Sequence, residues 1–473
     1  MTRADVEGVV RPGVTRRVAT MSAAVAVLVL MLGLPTSASV APSLTRRPYL
    51  TDLVKRRVTV NWATTDAISA GSVSYGRQGL ESCEAHQVAA SSTTIMVGSV
   101  AEKQWKADLS GLKAGTYCYE VYGDATDLRG SDPAPTFRRQ VQPRASAPFS
   151  FAVFGDWGKV AANGANDDLS RLMSQVAASQ ARFAVTTGDT AYPDGSQLNY
   201  GDLYQSGGDI STIFGPSFWS VAGGSIPLFN AQGNHGLNGA PLVNWPQAHA
   251  VASSGGRYEM QPYCCLNGTN PASYPSSWYA FNAGQARLYV LEAAWNNGNV
   301  GSASLYQNDY DYHWTVNSDE YRWLANDLAT HPKRVSFAFV HFPLYTSNGS
   351  EKSDPWLIGP THLEGLLADH GVDVVFNGHA HIYERNSPSA PGMPVSYVTG
   401  GGGGMLEPVN ACAAVDAYSI GWNPPSACGS ATPPTTVDRV YHFLLVTVDG
   451  TRVTVTPTDE LGRTFDVPTY DFS

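Results

Sequence analysis

The feature that most constrains this chain is a set of short, almost wholly apolar runs that each lead to a polar residue able to bind a metal. SFAVFGD (Ser150 to Asp156) ends at Asp156, FAVTTGD (Phe183 to Asp189) at Asp189, VSFAFVH at His341 and VDVVFNGH at His379, while the run from Ile226 to Asn230 leads into GNH and Asn234. Apolar runs of this length, bounded by glycine, are strands buried on both faces. Between the first two, Leu169, Leu172, Met173 and Val176 fall on one helical face, which makes a βαβ unit. Further along, Ser318 opens a helix with Asp319 and Glu320 in its first turn, and His331-Pro332 ends it. Strand VSFAFV, helix HLEGLLADHG and strand VDVVFNG follow. The expected fold over residues 149–473 is an α/β domain of β-sheets flanked by helices. In such sheets sites form beyond the carboxyl ends of the strands, so one fold geometry would gather all five polar ends.

The texture before this domain is different. Val58, Val60 and Trp62 alternate in RRVTVNW, Tyr117, Tyr119 and Val121 alternate in GTYCYEVYG, and Gly71 to Gly76 and Thr94 to Val100 add strand candidates. Short strands at this spacing predict an all-β sandwich over residues 42–141. It holds no acid, His or Cys cluster of catalytic spacing, which points to structural support. QPRASAP, residues 142–148, reads as a linker between the two domains. At the start of the chain, Arg16 and Arg17 precede AAVAVLVLMLGL (Ala23 to Leu34), then Pro35 and small residues to Ala38 or Ala41. Residues 1–41 therefore read as a signal peptide for export, with an apolar core too short for a membrane span. Thr15-Arg16-Arg17 leaves Sec and twin-arginine export both open.

Charge and cysteine content bound the partners. The net charge is −10 and no Lys/Arg run exceeds three residues (Lys55 to Arg57), which argues against nucleic acid or an anionic membrane as the main partner. Export permits disulfides among the six cysteines. Cys83 with Cys118 and Cys412 with Cys428 are favoured because each pair shares a region, and Cys264 with Cys265 remains by elimination.

Taken singly, the polar strand ends have plain structural explanations. Gly-Asp at a strand end is a common turn, and an isolated histidine is more often a hydrogen-bonded core residue than a ligand. Their order is what carries weight. His381 lies two residues after His379, so both rings can leave one side of the backbone, each toward a different metal. Tyr192 lies three residues past Asp189, on the loop that carries that carboxylate. GDWG, GDTAY, GNH, VHFPLY and GHAH, in this order, resemble the metallophosphoesterases and specifically the purple acid phosphatases. The N-terminal strands resemble the fibronectin type III-like module of the larger members, and YHFLLVTVDG and TRVTVTP resemble their C-terminal strands. Tyr192 is the specific part, since the wider superfamily lacks a tyrosine ligand.

The resemblance implies one metal held by Asp156, Asp189, Tyr192 and His381 and a second held by Asp189, Asn234, His341 and His379, with Asp189 bridging. Donor chemistry supports the split. Phenolate and carboxylates suit Fe(III), whereas a neutral amide and two imidazoles suit a divalent ion such as Zn, Fe or Mn. With three anionic side chains and one hydroxide, Fe(III) plus M(II) keeps a net charge of about +1 to receive phosphate. The implied activity is hydrolysis of small phosphate monoesters in acid by a metal-bound hydroxide, with His235 as the acid for the leaving group. The alternatives are a phosphodiesterase or nucleotide pyrophosphatase of the same fold, and a non-catalytic phosphate-binding surface protein. The sequence also departs from the family pattern. Gly236 follows GNH where an acid is often found, and Ala338 stands three residues before His341 in place of Val. After the His341 motif comes TSNGSEKSD, without the further histidine of some larger members. Tyr345, Asn348 and Glu351 are candidate phosphate contacts there, and nothing in the sequence selects among them.

Overall fold

A computed structural model describes residues 43–473 except 144, 146, 159–166, 193–196, 205–212, 232, 236–277, 292–313, 315, 317–318, 354–356 and 436–439. Two large sheets carry the architecture. The first has ten strands, and its centre is parallel: Phe149–Phe154, Ala184–Thr186 and Leu228–Asn230 lie side by side in that order. The hairpin His442–Asp449 and Arg452–Asp459 extends it antiparallel on one side. The second has eight strands, with Ala286–Val290, Val335–Phe339, Val374–Asn377 and Val395–Thr399 parallel at its centre.

Phenylalanines from both sheets fill the space between them. Phe151 meets Phe337 edge-on with ring centroids 5.3 Å apart, Phe183 meets Phe281 at 5.6 Å, and Phe229 stacks on Phe281 at 3.7 Å. Each buried ring contributes roughly 1.5–3 kcal/mol through the apolar area it removes from water. The alternate residues face outward to helices. Ala338, Val340 and Val375 pack in one cluster with Leu324 and Leu328 of helix Asp319–Thr330 and Leu363, Leu366 and Leu367 of helix Leu363–Asp369. On the first sheet, helix Asp167–Ala178 buries the expected Leu169, Leu172, Met173 and Val176, with Asp167 and Asp168 at its positive N-terminal end. The result is the expected metallophosphoesterase architecture of β-sheets flanked by helices.

The N-terminal strands form two layers, as the alternation predicted, but the layers are not set apart. Gly71–Arg77, His86–Ala89 and Thr116–Gly123 make a separate sheet, whereas Leu44–Val54, Arg57–Thr65, Val100–Leu109 and Ser91–Val97 continue the ten-stranded sheet. The junction is the parallel pairing of Leu44–Val54 with Leu228–Asn230, in which Thr51 sits opposite Leu228. The boundary expected at residues 142–148 is thus a change of connection that one sheet crosses. Arg46 seals the contact. Its fully buried guanidinium donates to Gly201 O at 3.0 Å and Gln197 Oε1 at 2.8 Å, and lies 4.7 Å from the centre of the Phe214 ring. Cys83–Cys118 and Cys412–Cys428 are disulfides, as expected. Cys264 and Cys265, and the leader read over residues 1–41, lie outside the described residues.

Candidate metal centre

The strand ends of both sheets meet at one edge of the molecule. Asp156, Asp189 and Asn234 follow three neighbouring strands of the first sheet, and His341 and His379 follow two neighbouring strands of the second. Three of these residues leave their strands through left-handed backbone: Asp156 at φ 55°, Asp189 at 45° and His379 at 70°. Non-glycine residues adopt this region at a cost, and such strain gathers where a side chain must be aimed. The glycines before the ligands permit close approach. A Cβ on Gly378 would stand 2.5 Å from Asp156 Oδ2, and one on Gly233 would collide with the Asp189 carboxylate.

The donor atoms fall into two linked groups. Tyr192 Oη lies 3.1 Å from His381 Nε2 and 3.4 Å from Asp156 Oδ1, and His381 Nε2 lies 3.6 Å from that same oxygen. In the second group His341 Nε2 lies 2.7 Å from Asn234 Oδ1 and 3.4 Å from Asp189 Oδ1. Asp189 joins the groups, since it also interacts with Tyr192. Donors sharing one ion through bonds of ~2.1 Å at right angles stand ~3 Å apart, so both sets of spacings fit a cation at their centre. One potential ligand atom from each of Asp156, Asp189 and His341 also lies within 4.8 Å of the other two. The ion pairs that Asp156 and Asp189 make among the described residues are with histidines.

Comparison with known proteins agrees with this geometry. The calcineurin-like phosphoesterase family model matches residues 149–383, a span that holds every one of these donors. Residues 149–383 are a calcineurin-like phosphoesterase domain. It is 28% identical over 365 residues to purple acid phosphatase 18 of Arabidopsis thaliana, covering 74% of this chain and 69% of that protein. It is 26% identical over 258 residues to acid phosphatase type 7 of Danio rerio, covering 50% of this chain and 48% of that protein. The chain thus spans from about half to about two thirds of the length of these relatives. The solved structure of a purple acid phosphatase from yellow lupin (Lupinus luteus) seeds shares the fold over 90% of this chain and 74% of its own, with a TM-score of 0.62 at 17% identity.

Electrostatics in this phosphoesterase centre favour a cation. Burial pushes the Asp189 carboxyl up, but His341, His235 and His379 together outweigh it and hold the acid well below the usual carboxylate range. Burial lowers His341 and His381, yet Asp189 and Asp156 respectively reverse the sign and raise each to about 9. The Tyr192 phenol is pushed well above its ordinary value by burial first, then by Asp189 and Asp156. A phenol so placed ionises only if a strong positive charge arrives beside it. Partners fix the rings. His341 Nδ1 lies 2.9 Å from Thr187 O and His381 Nδ1 lies 2.7 Å from Met405 O, which leaves Nε2 of each facing the centre.

The remaining expected residues are also here. The backbone N–H of His235 donates to Asp189 Oδ1 at 2.8 Å, and its ring lies 4.3 Å from that of Tyr192. His379 donates its backbone N–H to both oxygens of Asp156, and its ring lies 5.2 Å from that of His341. Its Nε2 is instead paired with Glu351 Oε2 at 2.8 Å. Of the three candidates that the sequence could not separate, Tyr345 turns away to Glu364 and Asn348 to Glu407, so Glu351 alone has its side chain on a histidine of the centre.

Proposed function

We propose that this chain is a secreted acid phosphatase that hydrolyses small phosphate monoesters at a two-ion centre. The observation that carries this reading is the phenol of Tyr192 lying between Asp156 and His381. Asp156, Asp189, Tyr192 and His381 would hold Fe(III), and Asp189, Asn234, His341 and His379 a divalent Zn, Fe or Mn ion. The donor spacings and the resemblance to purple acid phosphatases support that assignment. When bound, the two ions supply the Lewis-acid charge that polarises phosphoryl oxygens and lowers the pKa of water.

The chain supplies the rest. Asp189 spans both groups and accepts the backbone N–H of His235, which supports a reading in which the imidazole would stand beside the leaving ester oxygen. His235 would give that oxygen its proton. In the reading by regions, residues 1–41 are the export signal, 42–141 a fibronectin type III-like support that shares one sheet with the catalytic domain of 149–473, and 142–148 the connection between them. Two disulfides suit an exported protein, and no helix among the described residues is long and apolar enough to cross a membrane.

The test is an assay of metal-loaded protein in mildly acidic buffer with an alkyl phosphate, a nitrophenyl phosphate and the bis-nitrophenyl ester. Faster cleavage of the monoesters than of the bis-ester is expected. His235→Ala should cost roughly 10² to 10⁴ in kcat on the alkyl ester and much less on the nitrophenyl ester, whose leaving group departs without a proton. Metal-loaded protein that cleaves neither monoester would overturn the proposal.

A further inference from the structure

Arg56, Arg138, Arg139 and Arg182 lie close enough to repel one another, and among the described residues none of them forms an ion pair. Backbone carbonyls draw them together. Arg182 precedes the strand Ala184–Thr186 at the end away from Asp189, and donates through Nη1 to Arg139 O at 2.9 Å. In return Arg138, the last residue of the strand Thr136–Arg138, donates to Gln180 O. Arg139 Nη1 and Arg56 Nε share one acceptor, Leu112 O, at 3.2 and 3.1 Å, and Arg56 Nη2 donates to Gly111 O at 2.9 Å. Residues 138–139 and 180–182 are thus clasped through cations that no carboxylate offsets. With a net charge of −10 the chain has acids in excess, yet none is paired with these four.

Carbonyls satisfy donors without cancelling charge, and here they leave donors over. Arg182 Nε is buried and has no hydrogen-bond partner. Nη2 of Arg139 and of Arg182, and Nη1 of Arg56 and of Arg138, make no hydrogen bond to the described residues. Burial first, then Arg138 and Arg139, lower the Arg182 guanidinium to about 10, and burial followed by Arg56 lowers Arg139. A buried donor without a partner costs free energy, and so does like charge gathered out of water. An anion offsets both. The planar fork of a guanidinium matches the oxygens of a tetrahedral oxyanion and binds them through charge-assisted hydrogen bonds. We propose that these four arginines form a site for a small oxyanion of two or more charges, inorganic sulfate or phosphate, apart from the metal centre. Its occupant joins residues 138–139 to the lead-in of the strand Ala184–Thr186 and so stabilises the contact between the N-terminal layers and the strands that end at the centre.

The experiment titrates sodium sulfate into the metal-loaded full chain at constant ionic strength, with binding followed by calorimetry and folding checked by thermal unfolding. It compares wild type, Arg182→Gln, Arg138→Gln and, as a control, Arg171→Gln, whose charge is already paired with Asp168. Wild type should bind sulfate saturably and melt at a higher temperature as the anion is added. Arg182→Gln and Arg138→Gln should each weaken that binding ~10-fold or more, while Arg171→Gln leaves it unchanged. Arg138 is exposed, so its variant decides the matter if Arg182→Gln does not fold. Sulfate held at the metal centre would bind equally to all four proteins, and that result overturns the proposal. So does the absence of saturable binding to wild type in the millimolar range. A second arm sediments each protein with phosphatidylglycerol vesicles; capture on vesicles without binding of free sulfate would mean that the arginines meet a lipid surface, and it also overturns the small-anion site.

Discussion

Arg46 and the Asp156/Asp189 pair are buried to the same degree, yet their surroundings answer opposite needs. Around Arg46 every strong partner is supplied by the protein: two carbonyls, two glutamine side chains, a ring face and, at 4.0 Å, Glu102. A buried charge satisfied in this way holds one surface to another. Around the two aspartates the ion-pair partners among the described residues are histidines, and each of those carries a nitrogen aimed inward. Two carboxylates and a phenol concentrated where, among the described residues, the aspartates have only histidines as ion-pair partners describe a site that a metal cation can complete in place of the imidazole protons. Burial of charge does not by itself mark function; what separates the two regions is whether the protein closes its own electrostatic balance.

The largest effect should come from cutting the chain between these regions. A chain beginning at Gln142 loses the strand Leu44–Val54 and bares the edge of Leu228–Asn230, the strand that leads to Asn234. It should accumulate as insoluble protein, measured as the soluble fraction on expression. Soluble, folded and metal-loaded catalytic chain would show that the N-terminal layers are a detachable module.

A smaller effect is expected at the seam itself. Arg46→Ala leaves Glu102 and the two glutamine side chains without their cation and should destabilise the protein by about 3 to 5 kcal/mol, read from urea unfolding. The fraction that remains folded should keep its full metal content. Metal loss at unchanged stability would mean that Arg46 serves the centre directly.

The smallest effect is one of pH, and it separates empty from loaded protein. In metal-free protein His341 and His381 are raised from 6.5 to about 9 by their aspartates. Each contributes stability that is fully present below pH 6.5 and is lost as pH rises through about 9. The melting temperature of chelator-treated protein should therefore fall across that window, while metal affinity rises as protons cease to compete. In loaded protein the imidazoles carry ions in place of protons, and this slope should disappear. A flat profile for the metal-free protein would reject the assigned histidine–aspartate pairing.

Much of this was legible in the sequence because strand ends are written in a simple code. A buried parallel strand is an apolar run, and a polar residue stopping it stands at the edge where neighbouring strands also stop; Asp156, Asp189, Asn234, His341 and His379 could be located on that basis. The helix faces of Leu169 to Val176 followed from period alone. What could not be read depends on pairing at a distance. The contact of Thr51 with Leu228 leaves no mark in either segment, so the N-terminal strands looked like a module beyond a linker. Glu351 sits in a Ser/Asn/Gly-rich loop whose residues all look alike as surface polar groups. Only the ties of Ser347 to Glu384 and of Asn348 to Glu407 single it out.

The central claim is a two-ion centre with a phenolate on one ion, and the most direct measurement is metal content per chain taken together with the visible spectrum. Purified protein should carry two ions, one of them iron, and be pink to purple from charge transfer between Tyr192 and Fe(III). Tyr192→Phe should lose the colour and keep its fold. Colourless wild-type protein that is fully active and free of iron would contradict the ferric assignment, and full activity with no more than one ion per chain would contradict the two-ion centre.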